Sequence, residues 1–383
     1  MDDDGESLSL EAIPQYADVE QESISEGEVR RPFDPTQIRV ETKTQTIDNL
    51  IERMRHKEIL LQPDFQRAEV WKDAARSRLI ESILIRIPLP AFYVDATNED
   101  LWQVIDGQQR LSTIRRFVVD QDLRLQNLEF LIEFNGLTFD ELPQNLKRRI
   151  RETNVTVYKI EQGTPEEVKF NIFRRINTGG LPLTTQEIRH ALNLGKATEM
   201  LKELAQCPEF LEATDKGVAP DRMGDRECVL RFLAFVLTNP AEYNETEFDA
   251  FLSARMKDLN AASDAERTAL AGRFLIAMLR ATAIFGKNAF RKMKSLTAQR
   301  QPINKAVMEA WAVALGKLTS EQFTLLLSRR EQLLSDWVTT NNDPRFFAAV
   351  SQGTGDPVKV RLRFHTVQDL IGKVLSASTH PIG

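Results

Sequence analysis

The chain has 383 residues, of which 42% are hydrophobic and 28% charged, with a net charge of −6. That length exceeds the ~100–200 residues of one typical domain, so two core-forming units or one large one are expected. With 17 Gly and 16 Pro the composition is ordinary, which excludes collagen-like, mucin-like and largely disordered chains.

Cys207 and Cys228 are too few for a disulfide framework or a four-cysteine zinc site. No window approaches the ~20 uninterrupted apolar residues of a spanning helix, so no membrane partner is expected. The start, MDDDGESLSL, lacks the basic and apolar regions of a secretory signal, and a cytoplasmic protein is expected. The four histidines, His56, His190, His365 and His380, are scattered, which argues against a His-rich metal centre or a histidine–asparagine–histidine nuclease cassette.

Residues 1–29 hold ten acids and no Lys or Arg, so the remaining chain carries +4. Such a segment buries too little apolar surface to offset its ordering entropy, and residues 1–45 are expected to be a disordered acidic tail. A tail that masks a basic groove is the alternative. From Thr46 onward Ile47, Leu50, Ile51 and Met54 recur at helical spacing. In DAARSRLIESILIRI the residues Leu79, Ile80, Ile83, Leu84 and Ile87 share a face, and the IPLP that follows stops the helix.

AFYVDA and LWQVID, separated by Thr97-Asn98-Glu99-Asp100, read as a hairpin. The second strand runs through Gly107 into QRLSTIRRFVV, whose Leu111, Ile114, Phe117 and Val118 show the helical period. ELPQNLKRRIRE is expected to be helical, NVTVYKI a strand, and TPEEVKFNIFRRI a helix capped by Thr164, Pro165 and Glu167. A Gly-rich loop then leads to a second capping box, Thr184 with Glu187. Beyond residue 197 the pattern is nearly all helical, including EQFTLLLSRREQLLSDW as one segment, with no fixed-period repeat. The expected architecture is α+β: a domain over 46–195 with a small mixed sheet, then a mainly helical domain over 196–383.

The strand–Gly–helix corner, Asp106 to Arg110, is the strongest candidate site. A first helical turn presents N–H groups without intrahelical partners and about half a positive charge, which attracts phosphate. Asp106 is suited to a divalent cation, Gln108 and Gln109 to ribose, base or water, and Arg110 to bidentate phosphate contact, with Gly107 allowing close approach and Ser112 and Thr113 adding hydroxyls. In the plain structural reading Asp106 only caps the helix and Arg110 lies on its wet face. Gln66 and Arg67, in a loop anchored by Pro63, Phe65 and Trp71, form a second candidate. The third is KFNIFRRINTGG: Asn171 and Arg174 share a helix face, Asn177 and Thr178 follow the helix end, and Phe170, Ile172, Phe173 and Ile176 read as core.

The set DFQR…VW, RSRLIESILIRIPLP, VIDGQQRLSTI and FRRINTGGLPLTTQEIRHAL resembles the N-terminal domain of GmrSD-type modification-dependent restriction enzymes over roughly residues 46–195. The resemblance implies a ParB/sulfiredoxin-like fold, a nucleoside triphosphate site at the corner, Mg²⁺-dependent hydrolysis and a role in defence against phage or foreign DNA. A looser similarity to the ParB nucleotide site orders Asn171, Arg174, Leu183 and Glu187 alike, but where ParB has an acid this chain has Phe170, so Asp106 becomes the implied metal ligand. Enzymes of this type append a histidine–asparagine nuclease domain, and residues 197–383 offer only His365 and His380. A separate nuclease or effector subunit is therefore an implied partner, and a homo-oligomer remains open.

Three basic clusters are candidate DNA contacts: Lys147, Arg148, Arg149 and Arg151; Lys287, Arg291, Lys292 and Lys294; Lys359, Arg361 and Arg363. The first functional reading is a nucleoside triphosphatase of a defence system. Its alternative is a nucleotide-dependent switch that binds DNA or a partner with little turnover. A nuclease acting through the same core finds no general base beside a metal cluster.

Overall fold

A computed structural model describes residues 19–20, 39–61, 71–176, 183–245 and 247–377. The chain forms two compact units, one of residues 31–192 and one that joins residues 1–30 to 193–383. The architecture is α+β as expected. Within the stretch read as tail, β-structure is already present from Val40.

In the first unit, strands β1 (Val40–Thr46), β2 (Ile59–Leu60), β3 (Phe92–Asp95), β4 (Trp102–Asp106) and β5 (Asn154–Ile160) form one sheet in the order β1-β5-β3-β4-β2. The β1/β5 and β3/β4 pairs are antiparallel, whereas β3/β5 and β2/β4 are parallel. β1 lies within the expected tail. Its residues VETKTQT carry no apolar alternation, and the ladder to β5 rather than side-chain burial holds it. The hairpin forms as read: Asp95 accepts the Thr97 N–H at 2.8 Å and Asn98 accepts the Asp100 N–H at 3.0 Å, which closes the turn.

Helices α1 (Ile47–Arg55), α2 (Asp73–Leu84), α3 (Gln108–Ile114) and α4 (Gln144–Glu152) pack on one sheet face, where Phe92, Val94, Val104, Val155 and Val157 meet Ile51, Ile80, Ile83, Leu111, Phe117 and Ile150. The other face carries α5 (Glu166–Ile176) and α6 (Thr185–Leu192) through Ile105, Ile160, Phe170, Phe173, Ile188 and Ala191. Phe170 and Phe173 are thus core as expected, and Ile172 and Ile176 are half-buried. The Thr184–Glu187 box is present, with reciprocal bonds of 2.6 and 3.2 Å. The Thr164 hydroxyl bonds the backbone of Arg39 and α5 starts at Glu166, while the expected capping partner Glu167 has a side chain outside the described ones.

The second unit holds α7 (Lys196–Gln206), α8 (Pro208–Ala213), α9 (Gly224–Leu237), α10 (Phe248–Ala261), α11 (Asp264–Phe285), α12 (Lys305–Lys317), α13 (Ser320–Ser328), α14 (Arg330–Asn341), α15 (Pro344–Ser351) and α16 (Pro357–Ser376). The single segment expected at 321–337 is two helices that break at Arg329, whose guanidinium bonds the carbonyl of Val374 at 2.6 Å near the end of α16. A buried charge network crosses the interior: Arg363 with Glu309, Arg231 with Glu309 and Glu227, and Lys305 with Glu227 at 2.7 Å.

This network alters the reading of the basic clusters. Arg363 is wholly buried, Arg361 donates to the Tyr243 carbonyl and Lys359 to that of Gln352. Arg291 is also buried and bonds the carbonyls of Gln301 and Thr214. α11 meets the length and hydropathy of a membrane span by composition, with a mean hydropathy of 1.5 over its most apolar window, which the sequence reading passes over. Its Phe274, Ala277, Met278 and Ala281 are wholly buried in the core of the helical unit.

Glu81 of α2 organises a distant loop. Its buried carboxylate accepts the N–H groups of Glu129, Phe130 and Leu131 at 3.1, 2.7 and 2.8 Å. Burial pushes this carboxyl up, but the three backbone donors together outweigh it and hold it below its ordinary 4.5. A depressed folded pKa adds stability that is complete above the ordinary value and lost as the pH falls through the folded one. Glu81→Ala is therefore expected to cost about 1–3 kcal/mol in urea unfolding at pH 7, because it removes the one carboxylate that gathers three backbone donors, and the deficit should shrink towards pH 3.

Candidate functional site

The corner is built from the end of β4. Gly107 adopts φ +96° and ψ +10°, a left-handed conformation open to glycine at little cost, and α3 begins at the next residue. The same glycine is required by packing. A Cβ at this position would lie 2.4 Å from Cδ1 of Phe92 and 3.3 Å from a terminal nitrogen of Arg110. What approaches the backbone so closely is the ring of Phe92. No side chain caps α3, and its helical path continues through a π-helical turn, Arg115–Asp120.

Arg110 is 9% exposed and engaged within the protein. Its guanidinium donates to the carbonyls of Pro90 and Ala91, the latter at 3.1 Å, and to Asp106 Oδ2 at 3.0 Å, while its carbon lies 4.6 Å from the centroid of the Phe92 ring. Burial pulls its pKa below the ordinary value, and the Asp106 charge opposes that. The sequence reading has this guanidinium facing an anionic ligand or water; the structure has it joining the entry of β3 to the end of β4. Thr113 is likewise wholly buried, and its hydroxyl donates to the Gln109 carbonyl at 2.7 Å.

The remaining corner groups are more open. Asp106, Gln108, Gln109 and Ser112 are half-buried. One Asp106 oxygen takes Arg110, and among the described residues Oδ1 has no hydrogen-bond partner. Tyr93 stands opposite Asp106 in the β3/β4 register and stacks on Tyr158, with centroids 4.7 Å apart and 15° between planes. Burial raises the Tyr93 phenol, and Tyr158 and Asp106 add to the effect.

α5 meets this region through the apolar cluster that joins Phe170 and Phe173 to Ile105, the residue before Asp106. Asn171 on this helix is half-buried and Arg174 exposed. A pair that sequence reasoning missed fixes the helix: Lys169, 4% exposed, donates to Asp95 Oδ2 at 3.0 Å and to the Thr97 hydroxyl at 2.6 Å. Its only sequence signal is a lysine among apolar residues on a core-facing helix. Gln66, Arg67 and Asn177 lie outside the described residues.

Among the described residues no three His, Cys, Asp or Glu side chains gather as a metal site. A Mg²⁺ ion that takes most of its ligands from phosphates and water needs one or two carboxylates, and Asp106 Oδ1 meets that lower requirement.

A family model described as GmrSD restriction endonuclease, N-terminal domain, matches residues 47–194. This segment belongs to that family. The matched segment covers most of the α+β unit, leaves out β1 and contains the whole corner, and the family suggests a protein of a restriction-type defence system. No curated protein and no solved structure matches the chain.

The Gly107–Phe92 contact makes a quantitative expectation. Gly107→Ala should cost about 2–4 kcal/mol, through the left-handed φ and the overlap with the ring. In a Phe92→Ala background the same substitution should cost about 1 kcal/mol, since only the backbone term remains. Equal costs in the two backgrounds, measured by denaturant unfolding, would show that the ring does not dictate the glycine.

Proposed function

We infer that the GmrSD N-terminal domain of this protein binds a nucleoside triphosphate with Mg²⁺ at the Asp106–Arg110 corner and hydrolyses it as part of a defence system. The observation that carries the reading is the uncapped start of α3 directly after a strand end that bears a half-open carboxylate. Family membership of the segment supports the same assignment.

The roles divide by exposure. Arg110 is the positioning residue of the corner, since its donors already meet Pro90, Ala91 and Asp106. First-turn N–H groups with Gln108, Gln109 and Ser112 contact the nucleotide, and Asp106 Oδ1 holds the ion, which when bound neutralises phosphate charge. Arg174 is the exposed cation that reaches phosphate, helped by Asn171 and by Gln66, Arg67 and Asn177. Charge stabilisation and positioning are what phosphoryl transfer chiefly asks of a protein. A separate nuclease or effector subunit performs any strand cleavage.

One observation favours the alternative of a binding switch with little turnover, acting on DNA or a partner. Asp106 is the one carboxylate within Asp106–Arg110 and Arg110 already shares it, so the site holds charge better than it activates water. Calorimetry with non-hydrolysable analogues separates the two readings: tight binding without phosphate release favours the switch.

With each of four nucleoside triphosphates and Mg²⁺, phosphate release should occur for at least one. Arg174→Ala and Asp106→Asn should each lower it at least tenfold, the first with an unchanged melting temperature because Arg174 is exposed. Undiminished release by both variants, relative to wild type and a mock preparation, would rule out this corner.

A further inference from the structure

The two described residues of the acidic N-terminal stretch, Val19 and Glu20, contact the helical unit. Val19 pairs with Ile303 as a parallel β-bridge, and the Glu20 N–H donates to the Ile303 carbonyl at 2.8 Å. Ile303 is also bridged on its other side by Arg291, and the Asn304 N–H donates to Phe290. The segment thus adds a strand edge to a short pre-existing bridge, as extended peptides do when bound by augmentation. Val19 packs against the large core of this unit.

The Glu20 carboxylate enters a notch of buried polar groups. Lys292 Nζ reaches Oε1 at 2.6 Å, and Asn304 Nδ2 reaches Oε2 at 3.0 Å. Lys292 is 8% exposed and Asn304 1%. Both are held independently of the carboxylate: Lys292 donates to the Ser351 hydroxyl at 2.6 Å and lies over the Phe347 ring, while Asn304 donates to the Val350 carbonyl and accepts the Val307 N–H at the start of α12. The notch is therefore built from the start of α12, the end of α15 and the irregular segment that carries Lys292, all held by contacts within the helical unit. A buried ammonium is costly without an anion, so the notch is selective for a carboxylate at this register.

We propose that the Lys292–Asn304 notch is a recognition site for an extended Val-Glu segment, that its occupant is this chain's own Val19–Glu20, and that the segment docks and leaves as a strap while the helical core stays folded. Glu20 is one of ten acids in a stretch that holds no base. Docking of the strap removes Lys292 from the basic surface that the sequence pattern offers to polyanions.

Hydrogen exchange on the full chain tests the strap, read at the Glu20 amide and at the buried amides of α12. Glu20→Lys should speed exchange at residue 20 at least tenfold and leave α12 unchanged. Lys292→Glu should do the same, and the double variant with both reversals should recover protection to within about threefold of wild type. Unchanged exchange at residue 20 in Glu20→Lys would overturn the proposal, as would parallel loss of protection through α12, which would make the segment part of the core. Should Lys292→Glu fail to fold, Glu20→Gln and Glu20→Lys carry the test alone, because both alter only the strap; protection that survives both overturns the proposal.

Discussion

A single buried cation sets the geometry of the corner. The Arg110 guanidinium lies against the Phe92 ring, with two carbonyls and one carboxylate in the plane of its donors. A guanidinium removed from water must find such partners, and its rigid fork dictates where they stand. Pro90 and Ala91 lead into β3, and Asp106 ends β4, so one side chain fixes the separation of two strands and the point where the chain turns into α3. Gly107 follows from that arrangement, because the ring that covers Arg110 fills the space a Cβ would need.

Rigidity at the corner changes what each residue can do. A positively charged group satisfied from within stabilises the frame, and in the proposed reading the contact with an incoming anion falls to backbone N–H groups, amides and the exposed Arg174. Pre-set donors of this kind need little rearrangement when charge develops, which is how electrostatic stabilisation works best. The helical unit uses buried charge in another way. Glu309, wholly buried, joins Arg363 of α16 to Arg231 of α9, so the network fixes helices relative to one another. Removing one member would leave an uncompensated charge in the interior.

Much of the first unit was legible in the sequence because its periodicities are clean. NVTVYKI is β5 residue for residue, the hairpin falls on either side of Thr97–Asp100, and Thr184 caps α6 through Glu187. β1 was not legible, since a polar edge strand leaves no apolar alternation and is held by a partner more than a hundred residues away. The corner was found from Asp106, Gly107 and Arg110, yet the direction of Arg110 was not, because its acceptors lie 19 and 20 residues upstream and are carbonyls, which any sequence supplies. The same limit hid Lys169, whose partner Asp95 is 74 residues away, and the use of Arg363 and Arg361 inside the fold. A run of basic residues reads as surface only when nothing distant claims its members.

The contact between Glu20 and Lys292 spans 272 residues of chain. On a ribosome that adds about 5–20 residues per second, the acidic segment emerges roughly 15–55 seconds before the lysine that receives it. Throughout that interval the α+β unit can complete its own sheet, whose strands all lie within residues 40–160. The pairing of Glu20 with Lys292 therefore forms only after most of the chain has been made, and it closes one of the longest sequence separations in the fold.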